Sequence, residues 1–129
     1  MGLFDLFRSR EDREKLSHLR NMIVLAMADG KVEKAELAAI AAMCSREGLT
    51  EKDFNKCIDD PKSIDFVVPS DDRVKLQHLR DMVLLMMCDG NINDEEMKVC
   101  KAAADALGFK TEIIDALIKE IIDEIRNSK

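Results

Sequence analysis

The strongest constraint on this fold is an internal repeat, in which residues 12–58 align with residues 72–118 at a constant offset of 60 and without a gap. Gly30 matches Gly90, Gly48 matches Gly108, and about a third of the aligned positions carry the same residue. A gapless repeat of this length predicts two copies of one supersecondary unit that pack against each other. We therefore expect two tandem helical repeats related by a pseudo-two-fold axis.

Each copy is expected to be helical, because its apolar residues return every three or four positions and a glycine closes each periodic stretch. The first copy predicts helices at 12–28 and 34–47, followed by a short helix that Thr50 caps. The second copy should begin with Ser70 as the N-cap, and its last helix should continue along an isoleucine stripe to Ile125. The chain should therefore contain about six to seven helices.

Composition supports an all-α fold. Met is frequent, Trp and Tyr are absent, and there are only two Pro, whereas β-proteins need more turn, aromatic and β-branched residues. The length of 129 residues predicts one domain over 1–129. Within it, repeat 1 covers 12–58, a connector covers 59–69 and repeat 2 covers 70–127. We expect Ile64, Phe66 and Val67 of the connector to dock on the core.

The net charge limits the classes of expected binding partner, and the cysteine pattern indicates the redox state of the compartment. Twenty Lys and Arg face 26 Asp and Glu, a net charge of −6, so nucleic acid is not an expected partner. None of the four cysteines lies in a C-x-x-C pair, and a reducing cytoplasm is predicted. No apolar run approaches the roughly 20 residues of a membrane span.

The first residues form an unusual apolar segment that precedes the basic Arg8. This segment predicts contact with an unidentified protein partner or peripheral contact with the inner face of the membrane, and packing within the chain is the alternative. The residues expected to make this contact are Leu3, Phe4, Leu6 and Phe7.

Two Asp-Gly loops occupy equivalent places in the two copies. Asp29-Gly30 and Asp89-Gly90 are each followed by an aliphatic residue two positions on and by a glutamate six positions after the glycine. This pattern matches the second half of an EF-hand loop, but the first ligand positions hold Leu and Met. A true EF-hand is excluded, because Ca²⁺ needs six to eight oxygen ligands.

Two interpretations of these loops remain open. In the structural one, each loop stops a helix and a capping box then starts the next helix. In the functional one, a loop binds Ca²⁺ or Mg²⁺ weakly, and the second loop offers more oxygens. The candidate ligands are Asp29, Glu33 and Glu36 in the first loop, and Asp89, Asn93, Asp94 and Glu96 in the second.

His18 and His78 are also equivalent. Each could be a packed core histidine. If the first helices of the two copies pack antiparallel, His18 would instead approach Asp89, and His78 would approach Asp29, as second-shell groups of a metal site.

The paired helix-ending Asp-Gly, the aliphatic Val32 and Ile92, the later glutamates and the Ala-rich helix that follows resemble the TerB-like family of tellurite-resistance proteins. A similar domain heads the membrane-anchored DnaJ-type co-chaperones. The resemblance implies an all-helical fold and no catalytic activity. It also implies metal-binding carboxylates, which carry over onto Asp29, Glu36, Asp89 and Glu96.

The sequence shows no Ser/His/Asp set, no phosphate-binding Gly-rich loop and no H-E-x-x-H motif. The predicted function is a non-catalytic interaction or scaffold module of the TerB-like type, linked to tellurite or envelope stress in a bacterial cytoplasm. Two alternatives remain: an enzyme with an unrecognised carboxylate site, and a structural subunit that dimerises through the C-terminal isoleucine stripe.

Overall fold

A computed structural model describes residues 9–128 of the chain. The predicted contact residues Leu3, Phe4, Leu6 and Phe7 lie outside this range. The described part contains six α-helices, one short 3₁₀ helix at Pro61–Ser63 and no strand, which confirms the all-α prediction. The helices are α1 Arg10–Ala26, α2 Lys34–Glu47, α3 Glu51–Asp59, α4 Asp72–Met87, α5 Asp94–Ala106 and α6 Ile113–Asn127.

The helix starts follow from side-chain caps. Ser9 accepts a hydrogen bond from the Asp12 backbone N–H at 3.1 Å, and α1 begins two residues earlier than predicted. Thr50 and Asp53 form a capping box at α3. The prediction of Ser70 as the cap of α4 was wrong, because Asp71 takes this role and accepts from the Arg73 N–H at 2.8 Å.

The core forms around α1 and α4, which pack directly against each other. α2, α3 and α5 pack on α1, while α5 and α6 pack on α4. Leu19 and Leu79 occupy equivalent positions and are both fully buried. Burial of each such side chain is worth roughly 1.5–3 kcal/mol, so this shared layer is a main source of stability.

The connector lies along α1. Ile64 is buried, Val67 is half-buried and Phe66 is 36% exposed. The Val67 N–H donates to the Ser17 hydroxyl at 2.9 Å, and Arg10 donates to the Val68 carbonyl at 2.9 Å. These bonds fix the connector between the two copies.

The isoleucine stripe of α6 faces the core over most of its length. Ile114 and Ile121 are buried, Ile122 is half-buried, and Ile125 is 52% exposed. Ile121 thus fills a core position, and the last turns of α6 present apolar surface to solvent. None of the described helices combines the length and the apolar character needed to cross a bilayer.

Candidate functional site

The two Asp-Gly loops have the same local geometry. Gly30 and Gly90 have φ values of +83° and +84°, in the left-handed region that favours glycine. Asp29 Oδ1 accepts from the Lys31 N–H at 3.0 Å, and Asp89 Oδ1 accepts from the Asn91 N–H at 3.0 Å. Each aspartate thus closes its own turn with one carboxylate oxygen. The second oxygen takes no part in this bond.

The glutamates that follow the two loops are buried. Glu36 is 4% exposed and Glu96 is 3% exposed, although each lies in the first turn of its helix. Glu36 Oε1 accepts from the Glu33 N–H at 2.9 Å. At α5 the cap is Asn93, which accepts from the N–H groups of Glu95 and Glu96. The Glu96 N–H therefore donates to the Asn93 side chain, and the Glu96 carboxyl group takes no part in this cap.

Glu96 pairs with Glu36, its counterpart in the other copy. Burial, the hydrogen bond with Glu36 and the negative charges of Glu36, Asp29 and Asp89 raise the pKa of Glu96 to about 8. Glu96 Oε2 is buried and has no donor within reach. Two carboxyl groups can share a hydrogen bond only if one of them carries a proton, so this pair holds one proton when the bond is made.

The two loops lie at the same end of the protein. The charges of Asp29 and Asp89 both act on Glu96, and such effects fade beyond about 10 Å. His18 and His78 lie about 16 Å back along α1 and α4 from these aspartates, and their rings are stacked with centroids 3.9 Å apart. The two helices therefore run in the same direction. The antiparallel packing that would bring His18 to Asp89 does not occur.

Neither loop forms the ligand set that its sequence predicted. Among residues 9–128, no three Asp, Glu, His or Cys side chains lie close enough together to hold one metal ion. Glu33 and Asp94 are exposed, and Asn93 is used as a helix cap. The structure instead brings Asp29, Glu36, Asp89 and Glu96 into one acidic cluster, here called the carboxyl cluster.

A second polar cluster is centred on the buried Asp81 at the α1–α4 contact. His18 is buried with it, whereas Arg46 and Gln77 reach it from the surface. His18 Nε2 lies 2.8 Å from Asp81 Oδ2, Arg46 donates to the same oxygen at 2.6 Å, and Gln77 donates to Oδ1 at 2.8 Å. Burial alone would raise the pKa of Asp81, but the hydrogen bonds from His18 and Arg46 lower it to about 2. Burial and the neighbouring His18 lower the pKa of His78 to about 3. Both histidines are thus part of the core, not of the carboxyl cluster.

Sequence reasoning missed Asp81 and Arg46. A partial signal exists, because Asp81 replaces Asn21 at equivalent positions and Arg46 replaces Ala106. Such paired differences between otherwise similar copies indicate a contact that one copy makes and the other does not. The spacing within a single copy could not reveal it, since Arg46 and Asp81 belong to different copies.

The surroundings of the four cysteines raise the pKa of their thiols. Cys57 and Cys100 are fully buried, and burial raises the pKa of each to about 12. Cys88 is exposed, yet burial of part of its side chain and the charge of Glu36 raise its pKa as well. A nucleophilic cysteine typically has a lowered pKa, and none of these thiols has one.

Comparison with known proteins finds no matching family model, no matching curated protein and no matching solved structure. The TerB-like resemblance therefore stays a prediction that rests on the Asp-Gly loops.

Proposed function

We propose that the chain is a non-catalytic interaction module of the TerB-like type, whose carboxyl cluster binds a divalent cation weakly. The observation that carries this proposal is the buried Glu96 carboxyl, whose Oε2 has no donor and which faces Glu36 between Asp29 and Asp89. At this position a proton now balances the negative charge. A cation such as Ca²⁺ or Mg²⁺ would do the same with greater charge.

The arrangement of polar groups favours binding over catalysis. Catalysis needs acid, base or nucleophile side chains that converge on an open pocket. Here the densest polar group, around Asp81, uses its atoms in internal hydrogen bonds with His18, Arg46 and Gln77, although Asp81 and Arg46 also line an open groove. The alternative of an enzyme would need a pocket in which the carboxyl cluster meets a substrate.

The geometry also sets the expected affinity. Because no three ligand side chains of the described residues already surround one point, the ion must keep several waters or draw the loops together. Sites of that kind bind with dissociation constants of about 10⁻⁴–10⁻³ M. The cation must also displace the Glu96 proton, so its apparent affinity should increase as the pH rises towards 8.

Titration calorimetry with CaCl₂ and MgCl₂ tests this proposal. The wild type should bind with millimolar or slightly tighter affinity and release a proton, which appears as a heat that depends on the ionisation enthalpy of the buffer. Glu96→Gln together with Asp89→Asn should abolish binding. The matched control is Glu95→Gln, since Glu95 is the exposed neighbour on the same turn.

Two results would contradict a cation site. One is the absence of heat at millimolar cation and alkaline pH, and the other is equal heat from the double variant and the control. Either result would leave the loops as helix stops and caps.

The link to tellurite or envelope stress is part of the proposal and is supported by the sequence resemblance alone. Dimerisation through α6 is the remaining structural alternative, and the 52% exposure of Ile125 favours it. Sedimentation of the wild type and of Ile125→Glu over a range of concentrations separates a dimer from a monomer.

A further inference from the structure

Two grooves on opposite copies are built from equivalent residues. The small groove, of about 230 Å³, lies between α1, α5 and the connector. The large groove, of about 570 Å³, lies between α2, α4 and α6. Every residue that lines the small groove, except Phe66, has its counterpart at an offset of 60 in the lining of the large groove. Examples are Asn21 with Asp81, and Ala102 with Ala42.

The connector of the chain itself forms one wall of the small groove. Phe66 of the connector lines it, and the Arg20 guanidinium lies 6.0 Å from the centre of the Phe66 ring. Arg20 also donates to the Ile64 carbonyl at 3.2 Å, and Val67 donates to Ser17. Ser17 is only 1% exposed as a result of this packing. An extended apolar segment is therefore the kind of chain that such a groove accepts.

The large groove is only partly covered. Arg80, the counterpart of Arg20, pairs with Glu124 of α6, so α6 takes the place that Ile64 has in the first copy. Among residues 9–128, no aromatic side chain lines the large groove as Phe66 lines the small one, and Ile125 at the edge is 52% exposed. Leu76 is 39% exposed, whereas its counterpart Leu16 is 4% exposed. Within this described range, the large groove has no counterpart of the connector segment.

The sequence before α1 matches the segment that lines the small groove. Phe4-Asp5-Leu6-Phe7 stands at an offset of 60 from Ile64-Asp65-Phe66-Val67, and both read apolar, Asp, apolar, apolar. Phe66 lies six residues before Asp72, and Leu6 lies six residues before Asp12, its counterpart. The chain between Leu6 and α1 therefore has as many residues as the chain between Phe66 and α4, so it can span the same distance from helix to groove.

We propose that residues 3–7 of this chain bind in the large groove, with Leu6 at the position that Phe66 has in the small groove. The short tether gives these residues a high effective concentration at their own groove, which favours them over a second copy or another protein. Binding covers the apolar wall and Ile125, and removes four apolar side chains of the segment from water.

Fluorescence provides a direct test, because the chain contains no Trp and no Tyr. In Leu6→Trp, the new indole should emit at shorter wavelength than in the same protein in denaturant. It should also be quenched several-fold less by acrylamide than a peptide of residues 1–12 with the same substitution. Phe66→Trp is the positive control, since the connector already lines that groove.

A matched pair of second substitutions locates the site. Ala42→Glu, added to Leu6→Trp, should move the emission to that of the free peptide. Ala102→Glu, at the equivalent place in the small groove, should leave the emission unchanged. Ala42 and Ala102 are both exposed on helix surfaces, and circular dichroism checks that the helices are retained. Ile125→Glu serves as an independent second variant with the same expected shift as Ala42→Glu.

Four outcomes would overturn the proposal. An emission equal to that of the free peptide would show that the segment is not bound. Equal effects of Ala42→Glu and Ala102→Glu would show that it binds elsewhere. A shift that increases with protein concentration together with a dimer mass would assign the groove to a second copy. A shift that appears only with phosphatidylglycerol vesicles would assign the segment to a membrane surface.

Discussion

The free energy of unfolding of this protein should fall as the pH rises, and replacement of Glu96 by glutamine should remove most of that fall. Burial, the hydrogen bond with Glu36 and the nearby negative charges raise the pKa of Glu96 in the folded protein to about 8, against 4.5 for an ordinary glutamate. Between these values the unfolded chain releases the proton and the folded protein keeps it. Rising pH therefore favours the unfolded state, and the stability is lost as the pH passes from 4.5 to 8.

The expected magnitude is large compared with the stability of a small domain. The difference between 4.5 and about 8 corresponds to roughly 5 kcal/mol in the free energy of unfolding, and most of it is lost between about pH 5 and pH 8. Domains of this size unfold with only about 5–15 kcal/mol. Glutamine carries no charge, and its amide can donate to Glu36 in place of the proton, so Glu96→Gln should keep its stability at alkaline pH.

Urea denaturation followed by far-ultraviolet circular dichroism measures this effect. The midpoint of the wild type should fall steeply from about pH 5 to about pH 8.5 at constant m-value, whereas that of Glu96→Gln should change little. Glu95→Gln should behave like the wild type, because Glu95 is exposed. The measurements should stop near pH 8.5. Above pH 9 the raised pKa values of Cys57 and Cys100 add a further loss of folding stability. Parallel falls in the wild type and in Glu96→Gln would refute the reasoning.

Three further predictions follow from burial. The pKa of His78 is lowered from 6.5 to about 3, so the unfolded chain binds a proton that the folded protein excludes. The melting temperature should therefore fall as the pH drops from 6.5 towards 3, and His78→Asn should reduce that fall. Ellman's reagent should modify the exposed Cys88 quickly and the buried Cys57 only on unfolding, and equal rates would contradict the structure. Ile114→Ala should cost about 2–5 kcal/mol in urea denaturation, because Ile114 is fully buried, while Ile58→Ala at a 41% exposed site should cost much less.

The fold was predictable because local signals agree with the repeat. Glycine stops and apolar periodicity located α2 without error, and they located α1 and α4 to within two residues. The errors have local causes. Asp71 competes with Ser70 for the cap of α4, and α1 ends at Ala26 because Met27–Asp29 already form the turn that precedes Gly30. Each of these differences depends on one hydrogen bond near a helix end, which hydrophobic periodicity does not encode.

The site was predictable only in part. The sequence selected Asp29, Glu36, Asp89 and Glu96, but it treated each loop as a separate cation site. The repeat predicts that the two loops are alike, but it does not predict whether they lie at the same end of the protein. That depends on whether α1 and α4 run parallel or antiparallel, and both arrangements bury the same apolar faces. Two observations reveal the parallel arrangement. The rings of His18 and His78 are stacked, and the negative charges of Asp29 and Asp89 both act on Glu96.

The ion pair between the partly exposed Arg46 and the buried Asp81 distinguishes the two copies. Arg46 comes from the first copy and Asp81 from the second, whereas the equivalent positions Ala106 and Asn21 carry no charge. The same Asp81 carboxylate serves the histidine stack, since His18 Nε2 lies 2.8 Å from Asp81 Oδ2, while burial lowers the pKa of His78. Asn21 instead accepts from the neighbouring Arg20 at 2.9 Å, so a neutral amide satisfies this position in the first copy. The Arg46–Asp81 pair therefore gives the large groove a charged wall where the small groove has the neutral Asn21 and Ala106.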